Sequence, residues 1–143
     1  MKKIAIAADH AGFEYKEYLK EQLKDKYEIQ DFGTHSLDSV DYPDFVHPAA
    51  SSVENGDNEL GILICGSGQG VQITANKHQQ IRCALAWMPE IAALSRQHNN
   101  ANMVALPARF IAKELALEIV DKFLTTDFEG GRHQNRVNKI ACS

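Results

Sequence analysis

A chain of 143 residues is the size of one domain, and 44% hydrophobic against 24% charged is the composition of a globular protein with enough apolar material for a core. A net charge of −4 offers no bulk attraction to nucleic acid or to an anionic membrane, so an anion site requires a local basic cluster. No apolar run approaches the roughly 18 residues of a membrane span, and the apolar stretch of MKKIAIAADH stops at Asp9, too early for a signal peptide. A cytoplasmic protein with no nucleic-acid or membrane partner is the expectation.

KKIAIAA reads as a first strand and GFEYKEYLKEQLK as a helix, with Tyr15, Tyr18, Leu19 and Leu23 on one face. YEIQDFG is a second strand, ended by Gly33. THSLDSVDYPD is a polar loop, and Pro43 opens the next helix, which runs through Val53 to Asn55-Gly56. LGILIC is a third strand, whose unbroken apolar run predicts burial on both faces of a parallel sheet. A helix from about Gly70 to His78 precedes a fourth strand, RCALAW. MPEIAALSRQHNN is helical, with Ile91, Leu94 and Ser95 on one face and Asn99-Asn100 as its stop. NMVALP is a fifth strand, and RFIAKELALEIVDKFLTT is a long helix with Ala112, Leu115, Ala116, Ile119 and Phe123 as its inner stripe. Trp87 and Met88 read as core. The tail, residues 127–143, is polar and basic, and it is expected to dock at the active site or a dimer interface rather than form a second domain.

Alternating strands and helices predict a three-layer α/β fold, a doubly wound five-stranded parallel sheet of order 2-1-3-4-5. In such sheets ligands bind beyond the carboxyl ends of the strands, where the winding reverses. Here the reversal falls between the first strand, which ends in Asp9-His10, and the third, which ends in CGSGQG.

That glycine turn excludes several chemistries. Gly66, Gly68 and Gly70 follow the third strand rather than the first, and their spacing is not G-x-G-x-x-G, so a dinucleotide site is disfavoured. The lysine of a nucleotide-phosphate loop is missing, and Val71 stands where a cysteine phosphatase needs arginine. Histidines 10, 35, 47, 78, 98 and 133 show no short zinc-ligand spacing, so no metal is expected. What remains is the Cys65 thiol beside a ring of backbone N–H groups. Such a nest favours negative charge, lowers a thiol pKa from about 8.5, and can hold an oxyanion. Cys65 is therefore read as functional. Cys83 and Cys142 are read as packing, and an odd, widely spaced set of three cysteines argues against a disulfide framework. In GGRHQNR, Arg132 and Arg136 can grip a phosphate or belong to a solvated tail. His98 can cap its helix or shuttle a proton, and Arg109 alone is uninformative.

AADHAGFEYK, DYPD at 41–44, GILICGSGQGVQITANKHQQIRCAL, LSRQHNNANM and EGGRHQNRV together resemble the type B ribose-5-phosphate isomerases, relatives of the galactose- and allose-6-phosphate isomerases. The resemblance spans essentially the whole chain. It implies a Rossmann-like aldose–ketose isomerase that interconverts ribose 5-phosphate and ribulose 5-phosphate through a cis-enediolate, without metal or cofactor. The alternatives it leaves are an isomerase of another sugar phosphate and a non-catalytic sugar-phosphate sensor. It implies Cys65 as the base and His98 as the ring-opening acid. Gly66, Ser67, Gly68, Gln69 and Gly70 would cradle the oxyanion, with the Ser67 hydroxyl assisting. Asp9, His10, Tyr42 and Asn99 would contact the sugar, and Arg109, Arg132 and Arg136 the phosphate. A homodimer at least is implied, with His98, Asn99 and Arg109 reaching Cys65 from the other subunit. Val71 stands where one branch carries a glutamate base, which assigns this chain to the cysteine type. Pro107 departs from the glycine many members have near Arg109, which makes the placement of that arginine a point of interest.

Overall fold

The computed structural model describes residues 1–142. Five strands, β1 (Lys3–Ala8), β2 (Glu28–Asp31), β3 (Leu60–Cys65), β4 (Cys83–Leu85) and β5 (Met103–Pro107), form one all-parallel sheet. Among the described residues there are six helices: α1 (Phe13–Leu23), α2 (Pro43–Glu54), α3 (Gln69–Ala75), α4 (Pro89–Asn99), α5 (Lys113–Thr125) and α6 (Arg132–Val137). None is long and apolar enough to cross a membrane.

The α/β class is as expected, and one feature of the topology differs. The strand order is β2-β1-β3-β5-β4, so the last two strands are exchanged relative to the expected 2-1-3-4-5. The cause lies in the strands themselves. All five residues of β5 are buried, whereas β4 has three residues of which only Cys83 is fully covered. The strand that can be covered on both faces takes the interior position, and the short one takes the edge.

Period-two alternation divides the core. Ile4, Ile6, Ile62, Ile64, Val104 and Leu106 face one side, with Leu19 and Leu23 of α1 and Ile119 and Phe123 of α5. Ala5, Ala7, Leu63, Cys65, Met103 and Ala105 face the other, with Val46 and Ala49 of α2 and Val71 of α3. The small alanines of β1 let α2 sit close to the sheet on the second side.

Three further expectations change. Trp87 and Met88 are 51% and 38% exposed rather than core, because they follow β4 where the chain leaves the sheet edge. Helix α3 stops at Ala75, and His78 lies in the following turn. Helix α5 begins only at Lys113, which leaves Ala112 exposed as its cap and residues 109–112 outside the helix. That late start frees Arg109 and Phe110 to face the carboxyl edge of the sheet.

Candidate active site

Three adjacent strand ends build a cleft of about 420 Å³. Asp9 and His10 follow β1, Cys65 closes β3 with Gly66 and Ser67 beyond it, and Arg109 and Phe110 follow β5. Tyr42 and Gly70, from the starts of α2 and α3, form the remaining wall.

Each position has a local cause. Asp9 Oδ1 accepts hydrogen bonds from the Ala11 and Gly12 N–H groups at 3.0 and 3.1 Å, which turns the chain sharply out of β1 and fixes the carboxylate. The Val40 N–H donates to His10 Nδ1 at 3.2 Å. A neutral His10 accepting at Nδ1 carries its proton on Nε2, so it enters the cleft as a donor. Gly68 has φ +74°, a left-handed turn that starts α3 directly after the loop. Gly70 has no side chain because Tyr42 rests on it: a Cβ built there falls 2.5 Å from Tyr42 Cζ.

Arg109 corrects an expectation. The resemblance placed it on a second subunit, yet it lines the same cleft as Cys65 within one chain. The strand exchange is the reason. With β5 beside β3, Cys65 pairs with Pro107, Ala108 N–H donates to Cys65 O at 2.9 Å, and Arg109 N–H donates to Gly66 O at 3.0 Å. Pro107 therefore leaves Arg109 tied to the loop. Cys65 itself is 5% exposed at the floor of the cleft. Ser67 is exposed, and its Oγ accepts from the Gln69 N–H at 3.3 Å, which leaves its own proton to donate. Gly68 ends the loop and Gln69 begins α3, and neither lines the cleft.

The remaining candidates lie elsewhere. Helix α4 starts beyond the carboxyl end of β4 and ends before β5 begins, so His98 and Asn99 sit at the amino edge of the sheet, opposite Cys65. Helix α6 packs on α4 there and carries Arg132 and Arg136, both exposed. The rings of His98 and His133 stack with centroids 4.4 Å apart. Asn99 also borders a separate cavity of about 370 Å³ with Cys83 and Cys142. One chain thus holds two groups of candidate residues on opposite edges of one sheet.

His98, Glu129 and His133 bring ligand atoms within 4.8 Å of one another. The two rings are only 15° from parallel, so as they stand no ion can lie in both ring planes, as imidazole coordination requires.

Reading the residues in sequence missed two members of these groups. Phe110, 77% exposed beside Arg109, was signalled only by an aromatic following a strand end. His133, buried against His98, stands beside Arg132 in the basic tail.

The profile of the family described as Ribose/Galactose Isomerase matches residues 4–140. A ribose 5-phosphate isomerase of Thermotoga maritima is similar in structure, with a TM-score of 0.96, 50% identity, and coverage of 98% of this chain and 97% of that one. The ribose-5-phosphate isomerase B of Escherichia coli K12 is 45% identical over 143 residues, covering 99% of this chain and 96% of that protein. A Mycoplasma genitalium ribose-5-phosphate isomerase B with bound ribulose 5-phosphate has a TM-score of 0.92 at 46% identity, covering 96% and 93%. This chain belongs to the ribose/galactose isomerase family.

Proposed function

We propose that this protein interconverts D-ribose 5-phosphate and D-ribulose 5-phosphate by proton transfer, with Cys65 as the base. The observation that carries the reading is Cys65 at the end of β3, in one cleft with Asp9, His10, Ser67 and Arg109, in a chain whose relatives are isomerases of this type. The M. genitalium relative is the one with ribulose 5-phosphate bound.

The chemistry follows from the residue types. His98 of a second copy opens the furanose ring by protonating the ring oxygen as the C1–O bond breaks and the C1 hydroxyl gives up its proton to form the aldehyde. The Cys65 thiolate takes the proton from C2 of the open-chain aldose, and electron density moves to O1 to give a cis-enediolate. The Ser67 hydroxyl and the N–H groups of the glycine loop stabilise that charge where it develops. The O2 proton passes to O1, the Cys65 thiol returns its proton to C1, and the ketose results. Asp9, His10, Tyr42 and Asn99 orient the sugar hydroxyls. Arg132 and Arg136 hold the phosphate, with Arg109 as a further contact, and this remote binding energy positions C2 against sulfur.

A homodimer is part of the proposal. The two residue groups lie on opposite edges of one sheet, so the acid and the base meet only when the amino edge of one copy faces the carboxyl edge of another. The tail then contributes to the partner's site through α6, which docks on α4.

Proton NMR of the purified protein with ribose 5-phosphate in D₂O, with EDTA present, tests the reading. Ribulose 5-phosphate carrying deuterium at C1 is expected. No product would remove this substrate, and allose 6-phosphate and galactose 6-phosphate in the same assay would then identify a six-carbon isomerase.

A further inference from the structure

A second polar cluster, unused by the isomerase reading, joins α2 to the turn after α3. His47 Nδ1 lies 2.8 Å from His78 Nε2, and His78 Nδ1 lies 2.9 Å from Glu54 Oε1. Glu54 is held in turn by the Gln80 N–H, which donates to Oε2 at 3.0 Å. An ionised carboxylate only accepts, so its contact places a proton on His78 Nδ1. A neutral His78 then has a bare lone pair on Nε2, aimed at His47. A carboxylate behind one ring nitrogen, fixing the tautomer that bares the other, is the outer arrangement found behind metal-ligating imidazoles. The His78 side chain is only 16% exposed and Glu54 25%, so both are held in place, while His47 stands exposed on α2.

We propose that His47 and His78 form a binding site for a divalent transition ion of the zinc and nickel class, with Glu54 orienting His78 from behind and water completing the coordination. The ring separation suits it. An ion about 2.1 Å from each ligating nitrogen, at a near-tetrahedral angle, sets the two ring centroids about 5 Å apart, and the His47 and His78 centroids are 5.0 Å apart. The same geometry sets the two nitrogens about 3.3 Å apart, so the 2.8 Å contact must open by a tilt of the rings. The exposed His47 ring can make that tilt, whereupon the ion replaces the proton shared between the two nitrogens. The interplanar angle of 45° separates this pair from the stacked His98 and His133. An ion here ties α2, which starts beside Tyr42, to the segment following α3, which starts at the glycine loop. It would brace the two helices that wall the cleft without touching substrate.

Calorimetric titration of the metal-free protein with Ni²⁺, together with its melting temperature, tests the site. One Ni²⁺ per chain and a concentration-dependent rise in melting temperature are expected. H47Q and H78Q should each weaken binding at least tenfold, and E54Q by about 10- to 100-fold, the usual effect of removing a carboxylate behind a ligating histidine. Because His47 is exposed, H47Q should keep the wild-type circular dichroism spectrum and metal-free melting temperature. The proposal is overturned if no saturable Ni²⁺ binding occurs up to roughly millimolar concentration. It is equally overturned if H47Q binds like wild type, which would put the ion elsewhere, such as among His98, Glu129 and His133. Wild-type affinity in E54Q would remove the role given to Glu54.

Discussion

The imidazole of His98 lies over that of His133, with 4.4 Å between centroids and 15° between ring planes, and this stack joins α6 to α4. Beside it the Glu129 N–H donates to Gln97 O at 3.1 Å, and Glu129 Oε1 lies 3.7 Å from His133 Nε2. Loss of water contact, then the neighbouring His98 and Arg132, hold His133 below its ordinary pKa of 6.5, against an opposing pull from Glu129. The unfolded chain therefore binds a proton at this residue more readily than the native one. The stability that neutral His133 contributes is complete above pH 6.5 and is lost as pH falls from 6.5 through the folded value. An NMR titration of the histidine ring protons should place His133 below 6.5 in the native protein and move it upward in H98N. Amide exchange in α6, corrected for intrinsic rates, should speed up over the same window. A native His133 that titrates at or above 6.5 would contradict this account of the stack.

Gly70 and Tyr42 give a test of cleft geometry. A Cβ at Gly70 would lie 2.5 Å from Tyr42 Cζ and 2.8 Å from its hydroxyl oxygen, so Gly70→Ala must displace the ring. Overpacking of this kind costs about 1–3 kcal/mol of stability. Displacement of about 1 Å at a substrate-orienting group is expected to lower kcat/KM by about 100-fold. Tyr42→Phe keeps the ring and removes only the hydroxyl, so steady-state kinetics on the pair separates wall from contact. Unchanged kcat/KM in Gly70→Ala would mean that Tyr42 does not orient substrate.

The layers, the core stripes and the Cys65 loop were legible because they depend on local period and on turn residues. Leu19, Leu23, Ile119 and Phe123 all reach the core their spacing implied. The order of the last two strands was not resolved, since both are short apolar runs and only their relative coverage separates them. With β5 beside β3, Arg109 lies in the Cys65 cleft of its own chain, where the family resemblance had implied the partner's arginine. The start of α5 was misplaced because RFIA continues the helical pattern without a breaker, while tertiary packing holds Arg109 to Gly66 O. The contacts of His98 with His133, and of His47 with His78, join residues far apart in sequence, and no local signal announces either.

Lys16 is wholly buried, a position the helical pattern of α1 did not reveal. Its ammonium lies 2.6 Å from Asp31 and 2.7 Å from Glu17, and Lys20 adds a 2.8 Å contact to Asp31. Burial raises the Asp31 pKa, but Lys16, Lys20 and the Gly33 N–H outweigh it, and the carboxyl sits below its ordinary 3.8. The native state thus resists protonating Asp31, so this stability is present above pH 3.8 and is lost as pH falls through the lower folded value. Asp31→Asn leaves Lys16 short of its closest partner and should cost about 3 kcal/mol at neutral pH. Urea unfolding measured across the acid range should show the wild-type advantage over the variant shrinking below pH 3.8. A variant as stable as wild type at pH 7 would show that Glu17 suffices to hold the buried ammonium.

The two groups of site residues on opposite edges of the sheet lead to a test of shared sites. Cys65→Ala removes the proposed base and His98→Asn the proposed acid, and each loss should lower kcat by about 10²- to 10⁴-fold. In a two-fold dimer each cleft takes Cys65 from one copy and His98 from the other. A heterodimer of the two variants therefore has one cleft with both substitutions and one with neither. Unfolding and refolding the variants together in equal amounts gives half heterodimers, and activity should return to about a quarter of wild type. Neither variant refolded alone should recover. If each chain built its own complete site, every cleft in the mixture would still lack one group and no activity would return. Partial recovery near a quarter would establish both the pairing of the edges and the separate duties of Cys65 and His98, because only a cleft that combines the two wild-type residues can turn over.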